Sequence, residues 1–479
     1  MTTDTLSPTV APAVGRISRA RTSRWAPLPV VLAATFMVVL DFFIVNVALP
    51  SIQRGLHASS SSIEWIVAGY GLTSAVLLIP AAQLGDRLGR RRVFSYGLAL
   101  FTLSSAACGV AGDPLTLVLA RLAQGGGAAL LMPNVLSLIG VLYDGPDRAR
   151  ALSFYGLAMG LAAVSGQLIG GLLVQVGLFG LGWRSCFLIN LPVGAVALAL
   201  APRLVPESRG RGAGTIDWSG TALITAALTA IVLPLVEGRQ HGWPAWTWVS
   251  LATAPVLLGG FIAQQRRVSA RGGSPLLEPG LFKVRTFSAG LLAQLVFWSG
   301  QASFFLVLAL YLQGGRGLSA LDAGLVFTIL AGSYLVASGR APALAVSHGR
   351  RVLAIGALML AAGHATLLAA VASVGVGGSV AALIPGLLLI GAGMGLGITP
   401  LATIVMSGMA PDDAGAVAGA LATMQNVGNA VGVAVIGVVF FGSVHAGFAH
   451  AFELSLGVLA VTLVSVAGLT RLLPATVRS

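Results

Sequence analysis

From residue 27 to residue 473 this chain is a succession of apolar runs, each long enough to cross a bilayer and broken only by short polar stretches. The runs cover 27–50, 63–84, 93–112, 115–141, 151–176, 184–203, 217–236, 246–265, 287–312, 321–345, 351–374, 379–401, 415–442 and 450–473. In hydrocarbon every backbone N–H and C=O has to be paired within the protein, so runs of this length are expected as helices. Charged residues make up 9% of the chain, whereas a soluble domain carries about 25%. The fold class is therefore an all-α polytopic membrane protein with fourteen transmembrane helices.

The basic residues test that count. With the N-terminus in the cytoplasm, 23 of the 28 Lys and Arg fall in cytoplasmic loops and tails. Four fall on the other side (Arg54, Arg184, Arg239 and Arg316), and Arg121 lies inside a helix. Both termini are expected in the cytoplasm. The net charge of +13 then reports topology and contact with anionic lipid, and nucleic acid is not an expected partner. Cys108 and Cys186, the two cysteines, both lie in apolar runs, so neither a disulfide framework nor a metal site is expected. No Gly-rich loop ends in Lys-Ser or Lys-Thr, which argues against direct use of ATP. No enzyme chemistry and no cofactor are expected.

No soluble domain fits between the runs. The longest interruptions, 205–216 and 266–286, flank the pair 217–236 and 246–265, with six runs before that pair and six after it. The expected division is a basic tail (1–26), a six-helix bundle (27–203) and linkers with two extra helices (204–286). A second six-helix bundle (287–473) and a short tail (474–479) complete it.

Several features go beyond spanning. The stretch 83–92 reads as a short charged loop, in which Gly85 and Gly89 permit a tight turn. In it Asp86 stands among arginines that include Arg90 and Arg91. It is either a topology anchor or a latch in which Asp86 pairs with a cation or a helix end. Asp41 lies about 20 Å into the first helix, where an unpaired carboxylate costs at least about 2.5–3.5 kcal/mol. It is a titratable site or a polar packing residue. Arg121 in the fourth helix is its candidate cation, unless that side chain extends to the interface, and Gln124 follows one turn later. On the fifth helix Gly156, Gly160, Gln167 and Gly170 share one stripe, although generic helix packing explains its glycines equally well. Gln294, Trp298 and Gln301 in the ninth run, with Gln425 and Asn429 in the thirteenth, suit a path for bulky apolar ligands with a few polar handles. Such stripes are also common in plain packing.

Four stretches together resemble the major facilitator superfamily, in particular its fourteen-helix drug:proton antiporter branch. These are Leu40–Pro50, Gly85–Arg91, Leu119–Ala129 and the fifth-helix glycines Gly156, Gly166, Gly170 and Gly171. The resemblance spans nearly the whole chain and implies two six-helix bundles with two central extra helices. The branch usually places proline where Gln167 follows Gly166, and the second-half counterpart of the charged loop, 339–351, lacks an acid.

By resemblance, the expected function is proton-coupled efflux of bulky amphipathic drugs or antibiotics from a bacterial plasma membrane by alternating access, in a monomer. Asp41 and Arg121 would couple the proton, and Gly85, Asp86, Gly89, Arg90 and Arg91 would form the conformational latch. Gly156, Gly160, Gly166, Gln167, Gly170 and Gly171 would form the antiporter-motif helix. Gln124, Gln294, Trp298, Gln301, Gln425 and Asn429 would line the substrate path. The alternatives are proton-coupled uptake of a small solute, which the missing proline keeps open, and a non-transporting sensor or scaffold.

Overall fold

The computed structural model describes residues 24–177, 180–210, 216–409 and 414–473, so most of the tail 1–26 and all of 474–479 lie outside the described residues. Among the described residues, fourteen helices long and apolar enough to cross a membrane follow one another. In chain order they are α1 (Pro27–Leu56), α2 (Ser60–Leu88), α3 (Arg90–Val110), α4 (Pro114–Leu142) and α5 (Gly145–Val176). After a short helical turn over Gly182–Leu188 come α6 (Asn190–Leu204), α7 (Trp218–Glu237), α8 (Ala245–Ala270) and α9 (Arg285–Leu310). The last five are α10 (Ala320–His348), α11 (Arg350–Val374), α12 (Ile384–Ser407), α13 (Ala414–Ser443) and α14 (Phe448–Leu469). Every expected run is a helix, and most extend past the apolar stretch.

Local chemistry sets the ends. Ser59, Asp113, Asp217 and Ser319 each accept a backbone N–H of the first turn they precede, satisfying donors a helix leaves open. Gly177 closes α5 in the left-handed conformation, at φ 57°.

The stretch 83–92 is not a loop. Gln83–Leu88 continue α2, α3 begins at Arg90, and Gly89 alone separates them, at φ 114°. Gly85 is helical, and its missing side chain admits Asn134 of α4, where an added Cβ would overlap the Asn134 amide. Only one of the two glycines therefore serves the turn.

Helices α1–α6 pack on one another, as do α9–α14. The two sets meet along α2–α13 and α5–α10, and α7 of the accessory hairpin touches both α2 and α13. This seam is tight at the end away from the charged α2–α3 turn. There Gly171 abuts the backbone of Ala320 and Leu321, Gly324 abuts the Gln167 carbonyl, and Gln313 donates to the Val47 carbonyl at 2.8 Å. Towards the charged end Gly156, Gly339 and Gly419 have open space where a Cβ would stand. The backbone-close contacts between the halves named here thus lie at the end away from the charged turn.

Candidate functional site

Asp41 sits on α1 with no exposed surface, and three side chains converge on it. Arg121 Nη1 of α4 donates to Oδ2 at 2.5 Å, while Gln124 Nε2 of α4 and Asn190 Nδ2 of α6 donate to Oδ1 at 2.8 and 3.0 Å. The same two amides donate to Ser105 Oγ of α3 at 2.9 and 2.8 Å. Arg121 also donates from Nη1 to Gln124 Oε1 at 2.6 Å and from Nε to the Ile66 carbonyl at 3.0 Å. Its guanidinium lies 4.3 Å above the centre of the Tyr70 ring. Two ionised groups this deep are tolerated because each is the other's counter-ion and the remaining polar atoms are hydrogen-bonded. Both oxygens of Asp41 accept hydrogen bonds, Oδ1 two and Oδ2 one, so protonation weakens contacts that the charged carboxylate makes.

Backbone approach makes this cluster possible. A Cβ at Gly127 would stand 2.7 Å from the Phe101 nitrogen, and one at Gly125 would overlap the Tyr70 carbonyl. The glycine run therefore lets α4 wedge between α2 and α3, bringing Arg121 and Gln124 to Asp41. Gln124, expected on the substrate path, belongs instead to the carboxylate's hydrogen-bond shell. Ser105 complements that shell and was not singled out from sequence, since serine and asparagine are common in spanning helices and carry no charge to flag them.

The fifth-helix stripe divides. Gly166 lies against Phe43 and the Leu40 carbonyl, and Gly170 against Ile44, both on α1. Gly171 faces α10 instead. Among the described residues, a Cβ at Gly156 would meet nothing within 4 Å and one at Gly160 would meet Leu335 at 3.7 Å, so these two do not line a close-packed groove. The helix runs unbroken through Gly166 and Gln167.

The path candidates lie along the seam. Gln294 and Gln301 are buried on α9 and Asn429 on α13; Trp298 and Gln425 are partly buried. Both polar atoms of Gln167 and of Gln301, Oε1 of Gln294 and Oδ1 of Asn429 have no hydrogen-bond partner among the described residues. Buried amides left unpaired cost stability, and they mark places where a ligand's polar groups could bind. Beside them an aromatic chain crosses the seam: Phe43 meets Phe305 edge-on at 5.2 Å between ring centres, and Phe305 stacks on Phe327 of α10 at 5.7 Å.

At the charged end Arg90 donates to Asp86 Oδ1 through Nε and Nη2, at 2.9 and 2.8 Å. The segment after α6 covers this turn: Arg90 N donates to the Ser208 carbonyl, and Gly210 N donates to the Asp86 carbonyl. Glu207 Oε1 accepts the Arg91 N–H at 3.1 Å, capping α3, and its other oxygen lies 3.6 and 3.7 Å from Arg91 and Arg92. The cap of α3 is thus Glu207, which the sequence pattern did not reveal because it comes from a separate linker.

A fourteen-helix membrane protein made of two helix sets that meet along a seam, with a buried ion pair inside one of them, has the construction of a carrier. The chain belongs to the Major Facilitator Superfamily, whose profile matches residues 31–433. It is 40% identical to a probable actinorhodin transporter of Streptomyces coelicolor over 88% of this chain and 73% of that one. It is 36% identical to the cephamycin export protein CmcT of Amycolatopsis lactamdurans over 97% and 95%. A puromycin resistance protein of Streptomyces alboniger is 38% identical over 88% and 82%. Among solved structures, a POT family transporter bound to 5-aminolevulinic acid superposes with a TM-score of 0.67 at 16% identity, covering 93% of this chain and 96% of that one. A bacterial homolog of the lysosomal transporter Spinster gives 0.65 at 17%, over 94% and 97%. The protein is a multi-pass membrane transporter and not an enzyme.

Proposed function

We propose that this chain exports bulky amphipathic antibiotics or related drugs across a bacterial cell membrane in exchange for protons. The relatives named for antibiotic export or resistance support the cargo class. The sealed Asp41–Arg121 pair is the observation that carries the coupling, because a spanning helix bears the cost of such a pair only where its charge is used. The two bundles, 27–203 and 287–473, rock about the seam, and the arginine-rich end faces the cytoplasm by the positive-inside rule. The described conformation is then the one open to the cytoplasm.

The cycle follows from the contacts. A proton entering from outside neutralises Asp41 and frees Arg121, Gln124 and Asn190 from it; return to the cytoplasm-facing state restores the pair and releases the proton. The amides of Gln167, Gln294, Gln301 and Asn429 offer hydrogen bonds to cargo while Phe43, Phe305, Phe327 and Trp298 offer apolar surface. Asp86, Arg90 and Arg91 hold the cytoplasmic turn in the open state together with Glu207. The protein works as a monomer in contact with membrane lipid.

Asp41→Asn tests the coupling. Drug resistance conferred on an efflux-deficient host should vanish while the protein still reaches the membrane, and drug-driven proton movement in inverted vesicles should vanish with it. Undiminished exchange in that variant overturns the assignment. The same vesicles decide direction, since an importer would move cargo with the proton gradient instead of against it.

A further inference from the structure

Among the described residues, the hydrogen bonds to Asp41 come from Arg121, Gln124 and Asn190 of the first half, so none of them crosses to the other half. A second carboxylate is placed differently. Glu64, near the start of α2, has no exposed surface and lies on the seam at its closed end. On the other half Gly437 of α13 faces it so closely that a Cβ there would stand 2.5 Å from Oε2. Its cation comes from a third body: Arg239, in the turn between α7 and α8, donates from Nη2 to Oε1 at 3.3 Å. That guanidinium also lies 5.2 Å from the ring centre of Phe441 on α13. Next to Glu64, Trp65 donates to Glu237 Oε1 at 2.7 Å, at the end of α7. Glu64 Oε2 and Arg239 Nε have no hydrogen-bond partner among the described residues.

We propose that Glu64 and Arg239 form a lock on the outer gate, and that the accessory helix pair α7–α8 serves to hold the arginine of that lock across α2 and α13. The lock rests on the export reading above and adds a gating residue to it. Separating α2 from α13 takes Gly437 and Phe441 away, so the ion pair is sealed only in the closed state. A proton from the outer medium, reaching Glu64 past the one-fifth-exposed Arg239 side chain, neutralises the carboxylate and leaves Arg239 charged and free to turn to water. A gate held by that pair opens when the proton arrives. The other charged or titratable groups at the site are Glu237, and His241 at 4.0 Å from Glu237; the α13 residues seen against the pair, Gly437 and Phe441, are uncharged.

Spin labels at Arg54 and His445 read the outer gate directly, since both are exposed, lie on opposite halves and take no part in the lock. The native thiols Cys108 and Cys186 are buried. At neutral pH the wild-type distance should be short. Glu64→Gln and Arg239→Ala should each raise the long-distance population by roughly tenfold or more, and the double variant no further, because the two act as one unit. Arg239→Lys should stay closed. Gly437→Val, which wedges the same seam, shows what an opened gate reads. Mild acid should open the wild type and leave Glu64→Gln unmoved, a response that a purely structural Glu64 would not give. The lock is overturned if Glu64→Gln keeps the wild-type distances while Gly437→Val lengthens them, or if none of these variants lengthens them. It is likewise overturned if the acid response survives in Glu64→Gln, which would assign that response to Glu237 or His241. Asp41→Asn read for drug efflux fails or succeeds independently of these distances, so either reading can fall without the other.

Discussion

Gln313 donates its side-chain N–H to the Val47 carbonyl at 2.8 Å, a direct hydrogen bond from the second half of the chain to the first helix of the other half. Gln313 lies in the π-helical turn that ends α9, and it is buried. Val47 is inside α1, where its carbonyl already serves the helix, so the amide adds a second bond to an acceptor with a spare lone pair. The bond therefore holds the halves together at the end away from the charged α2–α3 turn without being needed for the fold of either half.

Gln313→Leu should leave folding intact and shift the gate towards opening by roughly 2–10 fold, the equivalent of about 0.5–1.5 kcal/mol for a net hydrogen bond. Distances across the outer end by electron–electron double resonance measure this. An unchanged distribution would show that the contact contributes nothing to closure.

The fifth-helix glycines should separate by position. A Cβ at Gly166 would stand 2.8 Å from that of Phe43, whereas Gly156 has open space. Gly166→Val should cost about 1–3 kcal/mol or more by overpacking and abolish resistance. Gly156→Ala should be neutral or stabilising by up to about 1 kcal/mol. Melting temperatures in detergent, alongside resistance titres, test both; equal sensitivity at the two positions would contradict the divided stripe.

Two glutamines of the expected path should respond in opposite directions. Gln124 gives a hydrogen bond to Asp41 and takes one from Arg121, so Gln124→Leu should destabilise by at least about 1.5–3 kcal/mol. Gln301 has neither polar atom paired, so Gln301→Leu should leave the melting temperature level or raise it while reducing transport of cargo that carries polar handles. Loss of stability in Gln301→Leu would show that its amide is satisfied in the membrane.

Asp217 ties the start of α7 to the last turns of α8. Burial disfavours its charge, but hydrogen bonds from the Gly220 N–H, Ser219, Gln265 and Gln264 outweigh that and hold its carboxyl below the usual range. With the folded value depressed, its stabilising contribution is complete above the unfolded value of about 3.9 and is lost as pH falls through the folded value. Acid should therefore loosen the α7–α8 hairpin in that window, and Asp217→Asn should remove that part of the pH dependence. Proteolysis of the linker after α8 as a function of pH provides the measurement.

Much of this was legible in the residues because lipid punishes error heavily. Asp41 and Arg121 announced themselves because each alone is expensive in hydrocarbon, so pairing was the economical reading of both. Glu64 reads in the sequence as an acid near a helix end, for the opposite reason. It stands at the edge of an apolar run, where hydropathy assigns a carboxylate to water, yet α13 and the α7–α8 turn cover it completely. Gly85 and Gly89 look alike in sequence, but one is a turn and the other a seat for Asn134. Glu207 and Ser105 are ordinary residue types whose roles depend wholly on the segments they meet.

The sequence by itself determined that the chain has fourteen helices long and apolar enough to cross a membrane, and that an acid and an arginine inside it need one another. Those conclusions follow from the energy of placing single residues in hydrocarbon, which depends on residue type and depth alone. Only the tertiary structure decided which small residues touch α1 and which touch α10, which amides are satisfied and which are left free, and that a second carboxylate lies across the seam. A helical period puts several residues on one stripe, but the rotation of each helix against its neighbours selects which of them meet, and that rotation is set by packing among segments far apart in the chain.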